Sequence, residues 1–150
     1  MFETIAILII FFFMVMFGFI FYARIQESAY TTEEKEVITL NTINIAEETS
    51  FLPEIQCSSE NVPVDDCVDI LKLERFREVA ANNSEYYYYI FGNSNITIQE
   101  IYPDPTASWE LYNKPKEGWK SYSSIQIPTS IYNPLEHKYY FGVIYVNTYQ

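Results

Sequence analysis

The amino-terminal part of the chain contains its longest uninterrupted run of apolar positions. Residues 4–23, TIAILIIFFFMVMFGFIFYA, carry no charge and lie between Glu3 and Arg24. A helix needs about 20 residues to cross the roughly 30 Å hydrocarbon layer of a membrane, where only a helix satisfies its own backbone hydrogen bonds. The pattern therefore predicts a hydrophobic helix over residues 1–24 that spans a membrane.

Residues 25–52 are polar and acidic, and their pattern is compatible with two structures. Ile38, Ile45 and Leu52 recur every seven residues with Glu and Lys between them, which favours a helical extension. The segment VITLNTINI is rich in β-branched residues, so a break at Thr31 and Thr32 followed by a strand is the alternative. We expect the helix, and we treat residues 25–52 as an acidic helix extension or connector.

The segment after residue 52 begins with a loop and a short helix. Residues 53–63 contain two prolines and predict an ordered loop. Asp65 or Asp66 can cap a following helix, because a carboxylate accepts hydrogen bonds from the free backbone N–H groups of the first turn. The helix is expected to end at Asn82. Its apolar atoms, at helical spacing, belong to Val68, Leu71, Arg75, Phe76 and Val79.

The rest of the chain predicts strands separated by turns. The strand segments are YYYYIFG, ITIQEIY, YSSIQIPTSIY and KYYFGVIYVNTY, with turns at GNSN and after Asn133. Residues 53–150 are expected to form one β-rich globular domain, since the chain is too short for a second. The predicted fold class is α+β, with a long N-terminal hydrophobic helix followed by a mainly antiparallel, sandwich-like β domain that carries one short helix.

The charge balance limits the classes of partner. The chain has 20 acidic and 9 basic residues, a net charge of −11, so nucleic acid and anionic lipid headgroups are poor partners. Ten of the acids lie between residues 26 and 66, where Lys35 is the only base, and we call this segment the acidic collar. We interpret it as a solvated connector, with cation binding or repulsion between neighbouring subunits as the alternative.

Two cysteines and two glycosylation motifs favour an extracellular domain. Cys57 and Cys67 are ten positions apart and belong to no metal or haem motif. Outside the cell they would pair in a disulfide, whereas in the cytosol they would be free thiols. Asn82 and Asn95 each begin an N-x-S/T motif beside a predicted turn, which makes them candidate glycan acceptors.

The charges that flank the apolar run conflict with that location. No Lys or Arg precedes the run and Arg24 follows it, which by the positive-inside rule places the carboxyl-terminal domain in the cytosol. The conflict disappears if a short basic leader preceded Met1 and was removed, and this is our hypothesis. A cleaved secretory signal fits poorly, because the run is long and lacks both a basic region before it and an A-x-A site after it.

The sequence contains no recognisable catalytic motif. His137 is the only histidine, and it lies in the predicted turn PLEHK. The four glycines form none of the phosphate-binding or nucleophile-elbow patterns. We therefore expect no enzyme, no catalytic or metal-binding residues and no cofactor.

A long loop between predicted strands, PDPTASWELYNKPKEGW, is rich in aromatic residues. Trp109, Tyr112 and Trp119 would bind a sugar or a protein if they were exposed together. Large aromatic side chains in a β domain more often anchor a loop to the core. The segment is a candidate ligand loop, with anchoring to the core as the favoured interpretation.

The segment FETIAILIIFFFMVMFGFIFYARIQ, an acidic residue and an unbroken apolar helix ahead of a β-rich domain, resembles the type IV pilin and archaellin superfamily, most closely the archaeal pilins. The segments LPEIQCS, CVDILKLERF and IPTSIYNPLEHKYYFGVIYVNTY also resemble parts of pilin-like proteins from small-genome archaea. The resemblance implies that a peptidase removes a basic leader and that the apolar helices bundle as the core of a filament, inside β-sandwich-like outer domains. It also implies that Glu3 meets the amine of a neighbouring subunit, although family members carry this acid near the fifth mature position.

A helix that is apolar around its whole circumference must be surrounded by lipid or by copies of itself. We predict a structural subunit of an extracellular helical filament, pilus-like or archaellum-like, whose partners are other copies and, before assembly, the membrane. The alternative is a monomeric membrane-tethered extracellular module that binds a ligand such as a glycan. The residues assigned to assembly are Glu3, Ile7, Ile10, Phe13, Phe17, Gly18 and Phe21.

Overall fold

The computed structural model describes residues 2–60 and 62–150, with the side chains of residues 3–26, 35–60 and 62–150. The chain divides into two compact units, one reaching Val37 and the other formed by Ile38–Gln150. The helices and strands are α1 (Phe2–Ser50), β1 (Gln56–Ser59), β2 (Val62–Asp69), α2 (Ile70–Asn82), α3 (Ser84–Phe91), β3 (Ser94–Tyr102), β4 (Ser108–Asn113), β5 (Tyr122–Asn133) and β6 (Lys138–Tyr149).

Helix α1 includes both the apolar run and residues 25–52, for which the sequence was compatible with a helix or a strand. Of the two alternatives for residues 25–52, the structure has the helix as far as Ser50, and VITLNTINI forms no strand. The hypothetical mature end at Met1 lies outside the described residues, and three collar side chains lie outside the described side chains. These three are Glu27, Glu33 and Glu34.

The last turns of α1, from Ile38 onward, belong to the second unit and bury one face within it. The buried residues are Ile38, Thr42, Ile45, Ala46 and Thr49. Two of them are threonines, whose hydroxyls donate to the carbonyl one turn earlier at 2.7 Å, Thr42 to Ile38 and Thr49 to Ile45. These bonds remove the penalty for burying a hydroxyl without a partner.

The predicted loop over residues 53–63 is wrong, because strands β1 and β2 form an antiparallel hairpin there. Cys57 and Cys67 are joined by a disulfide with a Cα–Cα separation of 5.3 Å, and both are buried. Closing so short a loop stabilises the fold by about 2–3 kcal/mol in the chain-entropy model. The sequence did not indicate the hairpin, because the prolines in this segment are typical of loops.

Helix α2 begins three or four residues later than predicted and ends at Asn82 as expected. The cap is Asp69, whose carboxylate accepts from Leu71 N at 2.8 Å and Lys72 N at 3.3 Å. Asp65 and Asp66 do not cap it, because they belong to β2. The predicted apolar face is also partly wrong, since Val68 lies in β2, and Leu71 and Val79 are exposed. The residues that α2 buries are Leu73, Phe76 and Ala80.

The segment YYYYIFG forms helix α3 instead of the predicted strand. Tyr87 and Phe91, four residues apart, are buried on one side of it, while Tyr89 is fully exposed. The ring of Tyr87 packs edge-on against Phe76 of α2 with centroids 5.1 Å apart. The described part of the domain therefore has two short helices, where one was predicted.

The predicted strands β3, β5 and β6 are confirmed, and the fold class is α+β with a curled mixed sheet. The described strands form one six-stranded sheet of order β1-β2-β5-β6-β3-β4, so the expected sandwich-like packing takes the form of a single curled sheet. All neighbouring pairs are antiparallel except β2 and β5, which are parallel. The predicted turn after Asn133 joins β5 to β6.

The core of the second unit lies between this sheet and the helices. Ile96, Ile98, Ile144 and Val146 cover the inner face of β3 and β6, and each is almost fully buried. The helix α1 reaches the same face, because the hydroxyls of Thr42 and Thr148 are hydrogen-bonded. Since the Thr42 proton is used on the Ile38 carbonyl, Thr148 is the donor in this pair.

Candidate assembly helix and aromatic surfaces

The apolar part of α1 offers its side chains on every side. A span of 24 residues, Glu3–Gln26, is long and apolar enough to cross a membrane, and none of its most apolar window is buried. Successive helix positions are rotated by about 100°, so four of them sample a whole turn. Phe11, Phe12, Phe13 and Met14 are exposed by 64%, 69%, 57% and 74%. No face of this segment is covered by the described side chains.

The residues assigned to assembly all lie on this exposed segment. Five of them are large apolar side chains that are more than half exposed, and these are Ile7, Ile10, Phe13, Phe17 and Phe21. Glu3 is in the first turn, where the helix dipole favours a carboxylate. A methyl group added to Gly18 would meet no atom within 4 Å, so packing among the described residues does not require glycine there.

The structure separates the three residues of the candidate ligand loop. Trp109 lies in β4 opposite Ile98 of β3 and packs partly against the core. Tyr112 is buried, and its hydroxyl donates to the Gly92 carbonyl at 2.9 Å. Trp119 is about half exposed and lies after β4. The aromatic loop therefore does not form one exposed cluster.

Trp119 instead belongs to a different group of aromatics that sequence reasoning missed. Its ring centroid is 5.7 Å from Tyr122 at the start of β5 and 5.8 Å from Tyr149 at the end of β6. Tyr122 is 61% exposed, and its ring is nearly perpendicular to that of Trp119, at an interplanar angle of 83°. The pairing of Tyr122 with Tyr149 brings the group together, and no local sequence pattern indicated that register.

The two candidate glycan acceptors occupy different surroundings. Asn82 is exposed at the last position of α2. Asn95 is half-buried on β3, between β6 and β4, and its side-chain oxygen accepts a hydrogen bond from the Thr97 hydroxyl at 3.2 Å. Access favours Asn82 as the acceptor of the two.

The polar side chains of the β5–β6 turn make structural hydrogen bonds. His137 lies in the turn after β5, with Nδ1 3.2 Å from the Tyr132 hydroxyl. Glu136 accepts hydrogen bonds from Tyr140 and Lys138, which hold the pKa of its carboxyl below the usual value. In the part of the chain that the structure describes, no three His, Cys, Asp or Glu side chains are grouped so as to hold a metal ion.

Comparison with protein-family models, curated proteins and solved structures finds no match for this chain. The class of the protein is therefore defined by its own fold and its disulfide. It is an α+β protein with one N-terminal apolar helix and a disulfide-bonded domain built on a curled mixed sheet.

Proposed function

We propose that this protein is a structural subunit of an extracellular helical filament and that its N-terminal apolar helix forms the filament core. The observation that carries the proposal is the exposure of large apolar side chains on every side of Glu3–Gln26. A soluble protein that kept such a surface uncovered would aggregate, so the segment requires lipid or other copies around it. Other copies account for a helix that is uniformly apolar, since each neighbour covers a different face.

The energetics distinguish the two environments. Removal of apolar surface from water contributes about 25 cal/mol per Å², so helix bundling is strongly favoured once the segment has left the membrane. Within lipid the hydrophobic gain is absent, and association depends on close packing and polar contacts. Gly18 supplies a position where a neighbouring helix can approach closely, and the described residues give it no other packing role.

The proposal is tested by isolating fibres from the cell surface. We expect fibres of uniform diameter that contain this chain, and we expect its amino terminus to be a processed end. Electron microscopy, mass spectrometry and amino-terminal sequencing make these measurements. Recovery of the chain only as a membrane-embedded monomer would overturn the proposal.

A second candidate function is supported by the exposed pair Trp119 and Tyr122. An exposed aromatic ring held by a perpendicular neighbour can stack on a sugar ring, and a membrane-tethered module that binds a glycan would use such a ring. The test is glycan-array binding by full-length protein with Trp119→Ala. The matched control is Tyr139→Ala, which removes a similarly exposed aromatic at 65% exposure. Selective loss with Trp119→Ala supports this function, and equal binding by both variants contradicts it.

A further inference from the structure

A loop rich in lysine lies at one end of the sheet, and we call residues 114–120 the lysine loop. Its first backbone N–H, of Lys114, donates to the Ser94 carbonyl at 2.9 Å. Near its end, the N–H of Lys120 donates to the Gln150 carbonyl at 2.7 Å. Since Ser94 begins β3 and Gln150 follows β6, the loop is fixed where β3 begins and β6 ends.

The lysine loop is a positive surface in a strongly negative protein. It contains Lys114, Lys116 and Lys120 against Glu117 as its only acid, and all four are exposed. Arg77 of α2 lines the same groove as Lys114 beside β4, together with Glu110. In the described part of the chain, no carboxylate forms an ion pair with the three lysines of the loop or with Arg77.

Lys114 is held by aromatic rings instead of by a carboxylate. Its ammonium lies 5.7 Å from the ring centroid of Tyr88 and 5.8 Å from that of Tyr112. Cation–π contacts of this kind hold a side chain in place without neutralising its charge. The positive charge therefore stays available at the surface.

The β1–β2 hairpin is the negative counterpart, and we call it the acidic hairpin. Glu60, Asp65 and Asp66 are exposed on it, and residues 53–69 contain no Lys or Arg. Lys72 of α2 reaches this hairpin, but its ammonium donates to the Gln56 carbonyl at 2.6 Å. The three carboxylates are thus not neutralised by ion pairs with the described residues.

Strand β5 separates the two charged surfaces. The lysine loop is followed by Ser121 and then by Tyr122, the first residue of β5. The acidic hairpin contacts the same strand seven residues later, where the Thr129 hydroxyl donates to the Asp66 carbonyl at 3.3 Å. At roughly 3.3 Å per residue these points are about 23 Å apart. This separation exceeds the Debye length of about 8 Å at physiological salt, so the two surfaces cannot neutralise each other within one molecule.

We infer that the lysine loop, with Arg77, binds the acidic hairpin of a second copy of this chain. The inference rests on the proposed filament and assigns the contact between its outer domains. Two different surfaces meet in this contact, so it is a head-to-tail contact, which generates an open helical polymer when its rotation does not close into a ring. Charge complementarity selects the partner, because the acidic hairpin carries no base of its own between residues 53 and 69.

The direct test is zero-length carbodiimide cross-linking of full-length protein in fibres, or in membranes if no fibres are recovered. Copies with heavy and light isotope labels are mixed so that links between molecules are recognised by mass spectrometry. We expect heavy–light links that join Lys116 or Lys120 to Asp65 or Asp66. Links confined to one molecule, or no links between these segments, would overturn the inference.

Charge-reversal variants provide the second test. Arg77→Glu leaves the cross-linked lysines and carboxylates unchanged, and it should reduce the yield of these links about twofold to fivefold, as expected for loss of one exposed ion pair. Lys116→Glu and Lys120→Glu combined with Asp65→Lys and Asp66→Lys exchange the amines and the carboxylates, so heavy–light links between the same positions should form at about the wild-type yield. The control is Lys138→Glu, which reverses a lysine that already pairs with Glu136 at 3.2 Å and should leave the yield unchanged.

The outcomes separate this inference from the proposed function. Wild-type fibres without the expected cross-links, or with equal yields for all variants, would overturn the inference and leave the filament standing. Cross-linked copies in membranes without fibres would support the contact and overturn the filament. Absence of both fibres and cross-links would overturn both.

Discussion

Tyr112 and Tyr87 are tyrosines whose hydroxyls lie in or near the core of the second unit. Burial raises the pKa of Tyr112 to about 12. Burial also raises the pKa of Tyr87 to about 12, with a further contribution from the nearby Glu54 carboxylate. Both shifts favour the neutral phenol in the folded state, because ionisation would place a negative charge in an apolar or acidic environment.

Stability should therefore fall as the pH rises from about 10 to about 12. An unfolded tyrosine loses its proton near pH 10, whereas Tyr87 and Tyr112 keep theirs until about pH 12 in the folded protein. The unfolded state binds fewer protons in this range, so the free energy of unfolding decreases with pH. Urea unfolding of full-length protein in detergent measures the slope. Substitution of Tyr87 and Tyr112 by Phe should make the free energy of unfolding less dependent on pH. Tyr89→Phe, at an exposed position, should leave the pH dependence unchanged.

The sheet requires glycine at position 142, because it leaves no space there for a side chain. A Cβ at this position would overlap Ile131 Cδ1 and lie 2.8 Å from Ile131 Cγ1 and 3.0 Å from the Gln99 backbone oxygen. We expect Gly142→Ala to lower the free energy of unfolding by about 1–3 kcal/mol, as overpacking does. Thermal or urea unfolding measures this effect. Gly18→Ala is the control, and an equal effect of both variants would contradict the prediction.

At the scale of elements, the seven-residue spacing that predicted a helix also marks its buried face, since Ile38 and Ile45 are buried on α1 and Leu52 is buried just beyond its end. Ile45 is 5% exposed and Ile43 is 44% exposed on the same helix. Ile45→Ala should therefore destabilise the protein by about 2–4 kcal/mol. Ile43→Ala should have an effect below about 1 kcal/mol. The comparison is made by urea unfolding, and similar losses for the two variants would show that this face of α1 does not pack into the core.

Some elements were predictable from sequence, and others were not, for identifiable reasons. Strands β3, β5 and β6 alternate inward isoleucine or valine with outward polar residues, so the period of two was sufficient. Helix α3 was mistaken for a strand because four tyrosines have high β propensity, and burial of Tyr87 and Phe91 overrides that preference. The cap of α2 was misplaced because Asp65 and Asp66 precede Asp69 with equal capping ability.

The candidate sites were likewise predictable from the sequence only in part. The apolar segment of α1 was predictable because length and composition alone define it. The grouping of Trp119, Tyr122 and Tyr149 was not, because it depends on pairing between strands β5 and β6. The separation of the lysine loop from the acidic hairpin likewise depends on which strands are neighbours in the sheet.

At the scale of the whole molecule, the two compact units should respond independently to substitution. Phe13→Asp places a carboxylate in the middle of the apolar span, which opposes membrane insertion by about 3 kcal/mol. Membrane fractionation should show more protein in the soluble or aggregated fraction. Urea unfolding of the full chain is monitored by near-ultraviolet circular dichroism. The unfolding of the Ile38–Gln150 unit should be unchanged. Val37→Asp, at an exposed helix position, is the control that should keep normal fractionation.

The hydroxyl contact between Thr42 and Thr148 fastens α1 to β6, a strand with β5 on one side and β3 on the other. One hydrogen bond contributes only about 1 kcal/mol, so a force applied through α1 passes along the backbone into β1, an edge strand of the sheet. The Cys57–Cys67 disulfide carries this force directly into β2, and residues 58–66 lie outside the path of the force. Optical-trap stretching from α1 should accordingly require less force after the disulfide is reduced than before, and equal rupture forces would contradict this.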